Sequence, residues 1–419
     1  MIATLMVSPF LPEAEKVAAI REAMPATTGG IYLNAGTAGP LSRETVAAMR
    51  EMEDWELRVG RADPDSHDAF MERLEECRGV LAAMLSADPD GIALTHSTTE
   101  ALNHAVFGFD WRPGDHLLTT DAEHPGLSGP MWSVSKRAGV MVDIVEVGPM
   151  VDATRVMESI RAAMTPRTRM IALSHVLWTT GAVLPVAAIG ELAERHGAWF
   201  VVDAAQSVGA MAVDAAASGA DVIGFAGQKW LCGPIGTGAL WASPRVRTEA
   251  IQSWAGLPSF ATMELPRSAV LWPSGRRFEL ADVHRPSIVG LARAVGWLQM
   301  YVGLPWAIER AGRLARATAE RLAAIDGVTL LTPLDRMATL VTLRVDGWSC
   351  LELRTALARQ IFAVTRSIDD FDAVRLSIGY WNSEAELDRL AAAIAEIAAH
   401  TPSTLPRRPE LLVVSADEA

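Results

Sequence analysis

From about residue 90 onward, apolar positions along the chain fall into two alternating rhythms. Short runs rich in apolar and β-branched residues read as strands: residues 92–95, 116–120, 140–147, 168–176, 198–203 and 221–225, with 168–176 a buried strand and 198–203 an apolar one that stops at Asp203. Between them, patterns of helical period mark residues 100–109, 127–138, 155–164 and 185–197. The last of these, "PVAAIGELAERHG", has proline at its start and glycine just past its end, the usual punctuation of a helix. Strands alternating with helices of this length predict parallel βαβ units with helices covering an open sheet.

The rhythm changes after Ser287. Two long helical patterns, 288–301 and 306–325, precede short strands at 329–331, 339–345 and 374–378, and a last helix spans 384–400. That order predicts a smaller α+β domain. The expected division is an N-terminal segment 1–30, a large domain 31–287, a small C-terminal domain 288–400, and a tail 401–419 that is proline-rich and then acidic. No repeat with a period of about 20–50 residues is present.

Composition narrows this picture. At 419 residues, half of them hydrophobic, the chain holds more than one small core. A formal net charge of −13 argues against a nucleic-acid partner, which needs a basic face. No apolar run approaches the roughly 20 residues of a membrane span. The N-terminus lacks the basic leader and apolar core of a signal peptide. Cys77, Cys232 and Cys350 are far apart and in no metal-ligand spacing. Together these features predict a reduced, cytoplasmic setting, with no membrane partner and no metal.

Four polar marks fall at the carboxyl ends of predicted strands, where open parallel sheets bind ligands. In "THSTTEALN", Ser97, Thr98 and Thr99 follow a strand and open a helix, where free N–H groups and the helix dipole favour an anion. In "DAEHPG", His124 stands between a strand and a helix. In "VVDAAQSVG", Asp203 ends an apolar strand and Gln206 follows three residues on. One strand later comes Lys229, in "GFAGQKWLCGPIGTGAL". Singly, these read as a helix cap, a structural histidine, a capping acid and a surface lysine. Together they meet the needs of a pyridoxal 5'-phosphate pocket. Its phosphate requires N–H donors, its ring nitrogen a carboxylate, and its aldehyde a lysine whose amine desolvation makes nucleophilic.

The segment "DVIGFAGQKWLCGPIGTGAL" resembles the lysine signature of the class V aminotransferase family, which are fold-type I pyridoxal phosphate enzymes. "STTEALN", "EHPG" and "VVDAAQSVGA" recur in the order found in cysteine desulfurases, selenocysteine lyases and isopenicillin N epimerase-like proteins. "YLNAGTAGPLS" and "VRLSIGYWNSEAELDRL" resemble the family's ends, so the likeness covers about residues 30–400. It implies an α/β fold of type I, with a mainly parallel sheet in the large, cofactor-binding domain and a smaller α+β C-terminal domain. It also implies a homodimer acting on an amino acid. By the resemblance Lys229 anchors the cofactor and moves the α-proton, Asp203 pairs with the ring nitrogen, Gln206 reaches the ring hydroxyl and His124 stacks on the ring. Ser97, Thr98, Thr99 and Gln228 hold the phosphate, Arg375 grips the substrate carboxylate with Arg366 assisting, and Asn34 and Thr37 line the substrate side.

Departures from the desulfurase pattern set the expected reaction. Desulfurases carry a sulfur-accepting cysteine before the carboxylate-binding arginine, whereas "FAVTRSIDDFDAVRLS" has none. Trp178 or a neighbour, in "SHVLWTTGAVLP", stands where the resemblance implies asparagine, and Ala226 and Gln228 replace a hydroxyl residue and a histidine. Thirteen tryptophans include Trp132, Trp178, Trp254 and Trp272 near predicted strand ends, where they either wall a pocket or belong to the core. The pattern is closest to the epimerase-like branch that includes lyases of cysteine S-conjugates. The expected reaction is therefore C–S β-elimination from a cysteine S-conjugate. The alternatives are an epimerase or aminotransferase on an amino acid, a decarboxylating oxidative deaminase of a cysteine S-conjugate, and a non-catalytic scaffold.

Overall fold

The computed structural model describes residues 7–62, 64–148, 152–264 and 266–406, so most of the expected tail lies outside the described residues. Three helices open the chain, α1 (Glu13–Ala23), α2 (Arg43–Val59) and α3 (Pro64–Ala83), with a short strand β1 (Ile31–Tyr32) after the first. The alternating region forms β2 (Ile92–Thr95), α4 (Thr98–Phe107), β3 (His116–Thr120), α5 (Pro125–Ala138), β4 (Met141–Val145) and α6 (Ala153–Ala163). It continues with β5 (Thr168–Ser174), α7 (Val186–His196), β6 (Trp199–Asp203) and β7 (Val222–Ala226). After these come β8 (Gly238–Ala242), α8 (Pro244–Glu249) and a hairpin of β9 (Phe260–Glu264) and β10 (Ser268–Leu271). The C-terminal part holds α9 (Arg285–Trp297), α10 (Leu304–Ala323), β11 (Val328–Leu330), β12 (Leu340–Val345), α11 (Cys350–Ile361), β13 (Ala363–Val364), β14 (Arg366–Ile368), β15 (Ala373–Ser377) and α12 (Glu384–Ala398).

The large sheet has the strand order β2-β8-β7-β6-β5-β3-β4. Pairings from β7 through β6, β5 and β3 to β4 are parallel, while β8 runs antiparallel to both β2 and β7. Its apolar runs divide by period two. Met170, Ala172, Trp199 and Val201 enter the core under α4 and α5, whereas Ile171, Leu173, Phe200 and Val202 enter the larger core on the other face. Burial on both faces is why these strands lack polar alternation.

A four-stranded antiparallel sheet, β11-β12-β15-β14, forms the smaller body with α11, α12 and the second half of α10. Two features cross between the bodies. β1 pairs in parallel with β13, so residues 31–34 travel with the small sheet. The helical stretch Arg285–Ala323 begins on the large core and ends on the small one, with a π-helical turn at Leu298–Gly303 where Gly303 takes φ +85°. By length and composition that stretch qualifies as a membrane span, a run the sequence reading did not find. Half of its most apolar window is buried in the protein, and α9 packs on α2 and α3.

Candidate active site

The carboxyl ends of the large-sheet strands border a cavity of about 240 Å³. Ser97 caps α4, its Oγ accepting from Glu100 N at 3.1 Å. This leaves the opening N–H groups of α4 without partners inside the helix. Gly238 lets β8 pass beneath the turn, since a Cβ there would stand 2.8 Å from the Phe225 carbonyl oxygen and 2.9 Å from the Ser97 carbonyl carbon. His124 caps α5, with Nδ1 accepting from Gly126 N at 3.0 Å. Its imidazole meets the Trp178 ring edge-on at 5.4 Å and 85°. Asp203 closes β6, and its Oδ1 accepts from Ala205 N at 2.9 Å. Lys229 lies in the loop after β7.

Ser97, Thr98, Thr99, His124, Trp178, Asp203, Gln206, Gln228, Lys229, Arg366 and Arg375 all line this one cavity. Asn34 does not. Its Oδ1 accepts from Thr37 Oγ1 at 2.9 Å, and Thr37 and Gly36 form the wall instead. Among the tryptophans, Trp178 alone of the four expected lines the cavity. Trp132 is exposed on α5, Trp254 packs against His104 and Phe107, and Trp272 lies under the Arg276 guanidinium. His175, a neighbour of Trp178, is buried away from the cavity lining.

Electrostatics are dominated by desolvation. Burial pushes the Lys229 amine down to about 8, with Asp203 opposing the shift and Arg375 adding to it. Burial also raises the Asp203 carboxyl, against the pull of Lys229, the Ala205 N–H and His124. His124 is lowered by desolvation first and then by Lys229, which favours its neutral ring. Arg366 and Arg375 face each other across the β14–β15 pair. Burial, then the Arg366 charge, brings Arg375 down to about 9.

One acid was overlooked in the sequence. Glu123, beside His124, bonds Thr120 Oγ1 and Ser174 Oγ at 2.6 Å each. Burial raises it to about 7, against the two hydroxyl bonds, with Asp203 adding to the rise. The acid that directly follows β3 is Asp121, and nothing local in "DAEHPG" sets Glu123 apart from it.

Whether pyridoxal phosphate fits can be judged from orphaned atoms. Thr98 Oγ1, Gln228 Oε1 and Arg375 Nε are buried without a hydrogen-bond partner, and all three residues line the cavity. A buried polar group left unpaired costs about 1–3 kcal/mol, so such atoms on a cavity wall mark places for a ligand's polar groups. Thr98 lies at the α4 N-terminus, where its hydroxyl can donate to a phosphate, and Gln228 Oε1, an acceptor, lies beside the lysine. The third is on the guanidinium, where a carboxylate belongs. The residues fit the cofactor.

Sheet, cavity and donor set therefore define a fold-type I pyridoxal phosphate enzyme. The chain belongs to the aminotransferase class-V family, whose pattern matches residues 31–390. It is 32% identical over 343 residues to a probable cysteine desulfurase of Mycolicibacterium paratuberculosis, covering 77% of this chain and 49% of that protein. The chain thus spans about half the length of that relative. A probable cysteine desulfurase of Methanothermobacter thermautotrophicus is 26% identical, with 90% of this chain and 97% of that one covered. Among solved structures, the cystine C–S lyase C-DES, in complex with its reaction product cysteine persulfide, superposes with a TM-score of 0.84 at 26% identity, covering 89% of this chain and 99% of that one. A lysine-to-alanine variant of C-DES, with glycine covalently linked to its PLP cofactor, gives the same TM-score and identity over 90% and 99% of the two chains.

Proposed function

We propose that this enzyme is a C–S β-lyase that acts on cysteine derivatives carrying a substituent on sulfur, such as cystine. The observation that carries the reading is a complete cofactor and carboxylate constellation with no cysteine among the cavity-lining residues. The hairpin from Arg366 to Arg375 is short and likewise has none. A sulfur-accepting thiol is thus missing from the place where a persulfide-forming enzyme needs it. The likeness to C-DES supports the same reading.

Bound pyridoxal phosphate supplies an electron sink for negative charge developing at the substrate Cα. Thr98, Thr99, Gln228 and the first N–H groups of α4 hold its phosphate. Asp203 would hold a proton on the ring nitrogen, and the His124 imidazole, inclined to its neutral form, would stack on the ring. Arg375, with Arg366 across the hairpin, takes the substrate carboxylate in a planar fork that fixes Cα. The Lys229 amine, already inclined to its neutral form, accepts the α-proton at Nζ. The C–S electron pair then departs with the sulfur substituent, and the remaining fragment leaves as pyruvate and ammonia after hydrolysis.

Purified enzyme loaded with pyridoxal phosphate should convert cystine or S-alkyl cysteines to pyruvate and a sulfur product, and Lys229→Ala should lose at least about 10³-fold in turnover. Products are read by mass spectrometry. Solvent deuterium at Cα of recovered substrate, without release of pyruvate, would overturn elimination in favour of epimerisation.

A further inference from the structure

A run of buried polar contacts joins the lysine side of the cavity to its arginine side. Trp230, the residue after Lys229, donates from Nε1 to Gln206 Oε1 at 3.0 Å. Gln206 donates from Nε2 to the Gly36 carbonyl at 2.9 Å. Gly36 then donates its N–H to Ser377 Oγ at 3.1 Å. A Cβ on Gly36 would stand 2.7 Å from Arg375 Nη2 and 2.9 Å from Ser377 Oγ, so the guanidinium rests directly on this glycine. The other end of that guanidinium donates from Nη1 to the Trp178 carbonyl at 2.6 Å. Trp230, Gln206, Ser377 and Arg375 are all buried.

The two ends of the run belong to different bodies. Gln206 and Trp230 follow β6 and β7 of the large sheet. Gly36 sits in the segment that bridges to the small sheet through Asn34 and Ser377, and Arg375 rides on β15 of that sheet. Gln206 is one polar link across the junction, beside Arg375 Nη1 to the Trp178 carbonyl and the Thr332 and Thr342 hydroxyls to the Thr180 and Thr179 carbonyls. Its amide oxygen and one amide hydrogen are already committed to Trp230 and Gly36, so its main work is not at the cofactor ring alone. Removing either partner leaves a buried amide atom unpaired, which shifts the loop rather than leaving it in place.

We infer that Trp230 and Gln206 are positioning residues that hold the Gly36 loop, and through it the Arg375 guanidinium, in register with Lys229. They thereby set the affinity for the substrate carboxylate, an inference that rests on the reading of Arg375 as the carboxylate grip. Trp230→Phe keeps an aromatic side chain and deletes the donor. Gly36→Ala drives a methyl group into Arg375 from the other end of the run.

The test titrates holoenzyme with glycine and with methylamine, which differ by the carboxylate, and follows the visible absorbance of the bound cofactor. Trp230→Phe is expected to weaken glycine about tenfold and to leave methylamine within about twofold. Gly36→Ala gives the same selective loss, and carries the test if Trp230→Phe yields no folded holoenzyme. Arg375→Lys serves as the reference for the grip itself. If Arg375→Lys leaves the ratio of glycine to methylamine affinity unchanged, the grip reading fails. If it lowers that ratio while Trp230→Phe and Gly36→Ala do not, or if they weaken both probes equally, the positioning role is overturned.

Discussion

Lys229 is held where burial opposes its charge, and this has a consequence that can be timed. An amine whose pKa lies near 8 is partly neutral at physiological pH, whereas an ordinary lysine is almost wholly protonated. Only the neutral amine attacks an aldehyde. Capture of pyridoxal phosphate by the apoprotein, followed by stopped-flow absorbance, should therefore accelerate with rising pH through a midpoint near 8 and level off above it. A midpoint in the usual lysine range would show that the loop leaves Lys229 solvated. Lys229, Asp203 and His124 were legible in the sequence because each stands at the end of an apolar run beside small residues. Trp230, Gly36 and Glu123 were not. Their roles rest on contacts such as that of Gln206 with Gly36, 170 positions apart, which no local pattern announces.

At the scale of elements, the alternating strands and helices were readable because both faces of the central sheet are covered, which makes β6 and β7 nearly continuous apolar runs, although the edge strand β4 leaves Met141 and Ile144 exposed. β8, which runs antiparallel to both its neighbours, was not assigned, since its start lies within the glycine-rich loop after Lys229. Nor were α1, α2 and α3 assigned, although α2 starts at a clear serine cap, with Ser42 Oγ accepting from Thr45 N. Part of what fixes α3 is charge. Arg78, only 2% exposed, donates to both oxygens of Glu279, and Glu279 also accepts from Leu94 N at 2.9 Å on β2. Arg78→Ala strands a buried carboxylate, and the expected cost is about 3–5 kcal/mol. The exposed i,i+3 pair of Arg73 and Glu76 on the same helix makes the internal control, since Arg73→Ala should change stability by less than about 1 kcal/mol. Urea unfolding of the two variants measures the difference. Equal midpoints would show that the Arg78 pair contributes no more than a surface one.

For the whole molecule, the change in rhythm after Ser287 signals a second, smaller body, but Ile288 to Ala311 still pack in the large core and the small core takes α10 only from Leu314. The crossing of β1 to the small sheet carries no such signal, because two residues are too few to pattern. That crossing brings Gly36 against Arg375 at the cavity, whose lining residues include no cysteine. Cys77 and Cys232 are buried with thiols pushed up to about 12 by burial, and Cys350, also buried, is raised as well. A thiol so disfavoured as thiolate is a poor sulfur acceptor. If the enzyme cleaves cystine, the sulfur has no protein residue to receive it and must leave on a small molecule. Intact mass spectrometry after many turnovers with cystine should show the protein unchanged, with all sulfane sulfur in the low-molecular-weight fraction. A single-sulfur adduct on Cys77, Cys232 or Cys350 that forms and decays at the rate of turnover would place the chain among persulfide-forming enzymes instead, by a route the cavity does not display.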